Sequence, residues 1–116
     1  AESTLRREKM YFDAGARYLA GSGTDVFGTL PGISLHTELM LLTRIGLSER
    51  QALAAATSNF AEIFGWKEAG QLSPGCRADI LIVDNNPLAN IKNLKDIHLV
   101  IVRGKIVDKK KLLELK

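Results

Sequence analysis

The apolar residues of this chain change their period at Trp66. Upstream they recur three or four positions apart, the spacing that lines one face of a helix. Downstream they come in short unbroken runs between glycine, proline and aspartate, the pattern of strands. One uniform architecture cannot satisfy both halves, so the chain must combine a helical part with a small β part.

The helical part divides at its glycines. Residues 3–15 predict a helix with Leu5, Lys9 and Phe12 on one side and Gly15 at its end. Residues 17–21 (RYLAG) are short and apolar and predict a buried strand. Residues 22–32 hold three glycines and a proline and predict a long loop after that strand, a place where function often sits. A second helix is expected over 34–45, with Leu35, Leu39 and Leu42 in one stripe. A third opens at Ser48, where Gln51 three positions on completes a capping box. Leu53, Ala56, Phe60 and Ile63 then line one face as far as Gly65. Beyond Trp66, residues 67–108 predict mainly β structure: runs at 80–83 and 99–102, and a hairpin return at 105–107 turned by Gly104. Unbroken apolar runs imply strands covered on both faces. The last stretch, 109–116, reads as a basic, frayed helical tail.

Composition narrows the functional classes. The 116 residues suffice for one small domain, and 46% apolar with 25% charged residues supports a core. The net charge is only +3, with Lys109, Lys110, Lys111 and Lys116 carrying much of it. That is a solvated tail, not the basic stripe with interleaved aromatics of a nucleic-acid binder. No run reaches the roughly 18 apolar residues of a membrane span. The single cysteine, Cys76, excludes an internal disulfide and fits a reducing compartment such as the cytoplasm. The chain opens within a helical pattern without an initiator methionine, so an upstream part of the gene product is expected to be missing.

The sharpest chemical feature is Gly21-Ser22-Gly23-Thr24-Asp25. A carboxylate directly after an apolar strand, in a glycine-rich loop, is where a β/α barrel gathers catalytic groups. By spacing alone, however, Asp25 reads better as a turn residue or as the cap of a short helical turn. The loop is not a phosphate cradle, since it matches neither G-x-G-x-x-G nor G-x-x-x-x-G-K.

Five motifs in series change the weighting. GSGTD, HTEL, ALAAATSNFAEIFG, GQLSPGCRADILIVDNNPL and VIVRGKIV stand in the order found at the end of metal-dependent amidohydrolases. From Ala14 to Val107 the chain resembles that superfamily, nearest its imidazolonepropionase-like and Xaa-Pro dipeptidase-like branch. The most specific piece is Gly75, Ala78, Asp79, Ile80, Asp84 and Pro87. The resemblance implies an α/β fold: the C-terminal fragment of a (β/α)8 barrel, with its last strand and helices, plus the C-terminal part of a small β-sandwich. Residues 1–66 would be the last βα units, 67–108 the sandwich part and 109–116 the basic tail.

The resemblance also implies roles. Asp25 would contact the metal or its bound water, take the water's proton as general base and return it to the leaving amine. His36 would face the substrate, although a helix-start histidine satisfied by backbone is an equal alternative. Glu38 reads as a solvent-side or first-turn helix residue, His98 as structural, Thr57 and Asn59 as packing or backbone-bonding residues, and Cys76 as a turn residue without catalytic role. The expected cofactor is a divalent metal, zinc by resemblance, and the expected substrate a small amide, cyclic amide or dipeptide. A zinc site takes about three protein ligands, and this sequence has two histidines and no His-x-His pair. A full barrel also takes about 250 residues. The fragment alone is therefore expected to be inactive and to need self-association or the missing N-terminal part. A non-catalytic structural or interaction module built on the β-rich region is the alternative.

Overall fold

The computed structural model describes residues 2–23, 30–108, 110–111 and 114. The elements are helices α1 (Glu2–Asp13), α2 (Ile33–Arg44), α3 (Glu49–Ala55) and α4 (Ser58–Phe64), strands β1 (Ile80–Val83), β2 (Ile97–Val102) and β3 (Lys105–Ile106), and a 3-10 helix at Ile91–Lys95 between β1 and β2. Most of the tail at 109–116 lies outside the described residues. Among those described, no helix is long and apolar enough to cross a membrane.

The core forms where the helical part meets the β part. Leu39 and Leu42 of α2, Ile45 and Leu47 beyond it, Ala52 and Ala55 of α3, and Ile91 and Leu94 of the 3-10 helix bury together with Ala20. The alanines let α3 lie close to its neighbours, because nothing beyond Cβ holds the surfaces apart. α3 begins as its sequence dictates: Ser48 Oγ accepts the Gln51 N–H at 3.3 Å, and Gln51 Oε1 accepts the Ser48 N–H at 2.8 Å. Such caps are worth about 1 kcal/mol.

The single helix expected from Ser48 to Gly65 is in fact two. The Thr57 hydroxyl donates to Leu53 O at 2.7 Å, and the Ala56 and Thr57 amides bond carbonyls three residues back instead of four. A back-bonding hydroxyl and a tightened turn break the ladder. The chain then restarts at Ser58 and ends at left-handed Gly65, where Trp66 N–H bonds Ala61 O. A spacing argument cannot register this break, because Leu53, Ala56, Phe60 and Ile63 fit one continuous stripe.

Two further expectations fail. Segment 17–21 is not a strand: no other strand among the described residues pairs with it, and its backbone bonds helices instead. The β region is also sparser than expected. Residues 67–79 are turns, and the sheet holds three short antiparallel strands in the order β1-β2-β3. The apolar runs are not covered on both faces, since Leu81 is 47% and Ile82 40% exposed. The hairpin turn is as predicted: Arg103 and Gly104 both take positive φ (50° and 76°), the pair a type I′ turn requires.

The ADI motif is explained by that turn. Asp79 Oδ1 accepts the Arg103 N–H at 2.8 Å, and Ala78 O accepts the Gly104 N–H at 2.9 Å. Residues preceding β1 thus clamp the strained turn between β2 and β3. Asp84 closes the other end, with its N–H on Asp96 O at 2.8 Å and its carboxylate 2.9 Å from His98 Nδ1.

Candidate active site

Segment 17–21 leads into the glycine-rich loop and is fixed at three of its five residues. The Arg17 guanidinium forks onto the Glu62 carboxylate of α4, with nitrogen–oxygen distances of 3.2 and 2.7 Å. The Tyr18 hydroxyl donates to Glu8 O of α1 at 2.8 Å and lies 3.3 Å from its carboxylate. Desolvation, reinforced by the Glu8 charge, holds the Tyr18 phenol above its usual pKa. Tyr18 O accepts from Asn59 Nδ2 at 3.1 Å, and the Ala20 N–H donates to Ala55 O at 2.9 Å.

Asp25, the residue singled out for acid–base work, lies outside the described residues. His36 sits in the first turn of α2 and Glu38 in the second, both half-buried. The expectation of a solvent-side or first-turn Glu38 therefore fails. Burial raises its pKa, opposed in part by the hydrogen bond from Gly21. Asn59 and Thr57 bond backbone, as expected of them. His98 is an exposed partner of Asp84. Cys76 staples a turn, its Sγ near Lys67 O at 3.7 Å and Gln71 Nε2 at 3.6 Å.

Sequence reasoning missed the Arg17–Glu62 pair, which joins positions 45 apart and leaves no local pattern. Among the described residues no group of three or more His, Cys, Asp or Glu side chains could hold a metal ion. The described residues by themselves therefore do not fit a metal centre.

The amidohydrolase family model matches residues 4–107, almost the whole chain. This chain belongs to the amidohydrolase family. An imidazolonepropionase from Rubrobacter xylanophilus is 47% identical over 60 residues, which are 47% of this chain and 14% of that protein. Among solved structures, molinate hydrolase superposes with a TM-score of 0.83 at 20% identity, covering 92% of this chain and 27% of that one. A Xaa-Pro dipeptidase with methionine in its active site gives 0.79 at 22% identity, covering 90% of this chain and 25% of that one. At those identities the two structures speak for the fold. The chain thus spans about a quarter or less of each of these three proteins, and its fold is that of the corresponding α/β portion.

Proposed function

We propose that this chain is the part of a C–N bond hydrolase that supplies the acid–base carboxylate, Asp25, at the end of segment 17–21. The observation that carries the reading is the anchoring of that segment. Three helices, α1, α3 and α4, fix three of its five residues, Arg17, Tyr18 and Ala20, a degree of constraint that a passive connection does not need but a catalytic group does. Asp25 takes a proton from the attacking water and returns it to the departing amine. His36, on the helix after the loop, contacts the substrate. The substrate is a small amide, a cyclic amide such as an imidazolone ring, or an Xaa-Pro dipeptide, in keeping with the activities of the family's imidazolonepropionases and Xaa-Pro dipeptidases. A divalent metal, zinc by resemblance, belongs to this reading with ligands from outside the described residues.

The test is Asp25→Asn in the complete enzyme, assayed on Xaa-Pro dipeptides and imidazolone propionate. An amide of the same size cannot take the proton, so turnover should fall by about two to four orders of magnitude with the melting temperature preserved. Undiminished hydrolysis would remove Asp25 from the mechanism and favour the non-catalytic module.

A further inference from the structure

A two-residue hairpin turn of type I′ needs positive φ at both central positions, which is why Asn-Gly, Asp-Gly and Gly-Gly pairs dominate it. Here the pair is Arg103-Gly104. Gly104 takes its φ of 76° without steric cost. Arg103 takes 50°, and it is the one non-glycine residue with positive φ among the described residues. Arginine lacks the short polar side chain that lets asparagine or aspartate bond locally in that region, so the local sequence does not favour the turn. The strand beyond it offers little compensation. β3 pairs with β2 at two positions only, Ile106 with Ile101 and Lys105 with Val102, and both of its residues are exposed. One further bond follows, from Val107 N–H to Val100 O at 2.8 Å.

The missing preference is supplied from outside the hairpin. Ile80 opens β1 opposite Ile101, which brings the two residues before it level with the turn. Asp79 Oδ1 accepts the Arg103 N–H at 2.8 Å, and Ala78 O accepts the Gly104 N–H at 2.9 Å. Each left-handed residue thus gives its amide to the Ala78-Asp79 pair. Arg77 Nε holds the other carboxylate oxygen and with it the orientation of Oδ1. We infer that Asp79 is a clasp acting at long range: the left-handed turn at 103–104 persists only while the clasp is closed, and β3 is a strap that it fastens over the outer edge of β2. Opening the clasp frees the peptide groups of Val100 and Val102, an apolar strand edge of the kind that pairs with foreign strands. The ADI motif and the Arg-Gly turn are therefore one conformational device. It does not depend on the role of Asp25.

Hydrogen exchange in the complete enzyme tests the clasp without any substrate. A non-glycine residue in the left-handed region costs enough to change a local equilibrium about 5- to 30-fold. In Asp79→Ala, the amides of residues 100–107 should exchange faster by about that factor, while those of α2 and α3 keep their protection. The second variant adds Arg103→Asn to Asp79→Ala. Asn-Gly favours the type I′ turn by itself, so most of the lost protection should return although the carboxylate is still absent. Tryptic cleavage after Lys105 should follow the same order, fast in Asp79→Ala and slow in the parent and the double variant. Unchanged exchange over 100–107 in Asp79→Ala overturns the clasp. So does a loss of protection that spreads to α2 and α3, because Asp79 would then stabilise the fold in general. A double variant that exchanges as fast as Asp79→Ala also overturns it, since the handedness of the turn would not be what the carboxylate controls.

Discussion

Asp79 shows how one side chain can hold two distant parts of the chain together. Its Oδ1 accepts the Arg103 N–H at 2.8 Å, and its Oδ2 lies 2.5 Å from Arg77 Nε. The bond from the Arg103 backbone, then the one from Arg77, hold the carboxyl below its ordinary pKa. A carboxylate with a depressed folded pKa contributes stability above its unfolded pKa and loses it as pH falls through the folded one. Melting temperatures of the parent and of Asp79→Ala should therefore differ at neutral pH and converge on acidification below the ordinary carboxylate range. A gap that stays constant into strong acid would show that the charge does not matter there. Glu38 runs the other way. Burial raises its pKa, so its ionisation opposes folding as pH rises through that raised value, and the hydrogen bond from Gly21 only partly offsets this. Of these residue roles, the ADI motif announced itself in sequence but not as a turn clamp, because its partner Arg103 is 24 positions away.

At the scale of elements, the break between α3 and α4 shows what sequence periodicity can and cannot reveal. α1, α2 and the start of α3 were legible because their signals are local: an apolar stripe, a capping box, a terminal glycine. The break was not legible, since it depends on a hydroxyl turning back onto Leu53 O and on the later turn at Gly70 packing into the gap. Segment 17–21 likewise reads as a strand by composition, but strand character needs a partner strand, and composition cannot provide one. The candidate site was legible to the same limit. Five motifs in series pointed to the loop after Gly21, while the side chains that fix its base, Asn59 and Arg17, emerged only from tertiary contacts. Gly70 tests the packing at the break. A Cβ there would meet Thr57 O at 2.8 Å and Ala61 Cβ at 2.9 Å, whereas at Gly75 it would meet nothing within 4 Å. Both glycines have positive φ, 77° and 89°. Alanine should cost about 1–2 kcal/mol at Gly75 from backbone strain alone and clearly more at Gly70. Equal losses in denaturant titrations would mean that the break yields to the added methyl.

At the scale of the whole molecule, surface area is the quantity that decides how this chain behaves on its own. A compact monomer of this mass exposes about 6,200 Å², and this chain exposes 8800 Å². Its radius of gyration is 15.5 Å, against about 13 Å for a compact chain of this length. Large apolar side chains are among the exposed residues: Leu72 is 75% exposed, Phe64 57% and Trp66 53%. Phe60, Phe64 and Trp66 stack on one another, with ring centroids 5.4–6.3 Å apart, at the end of α4. Beside them an open groove of about 850 Å³ runs between Leu53, Phe60 and Trp66 on one wall and Ile80, Leu81 and Val83 on the other. Burial of apolar surface is worth about 25 cal/mol per Å², so a surface of this kind gains free energy from any cover, and exposed patches of this sort drive association. The isolated 116-residue chain should therefore elute from a sizing column as a concentration-dependent oligomer. Phe64→Lys together with Leu72→Lys, both on exposed positions, should shift it toward smaller species by making the cover costlier to form. A monomer of compact hydrodynamic radius, unchanged over a hundredfold range of concentration, would mean that the chain closes its own groove.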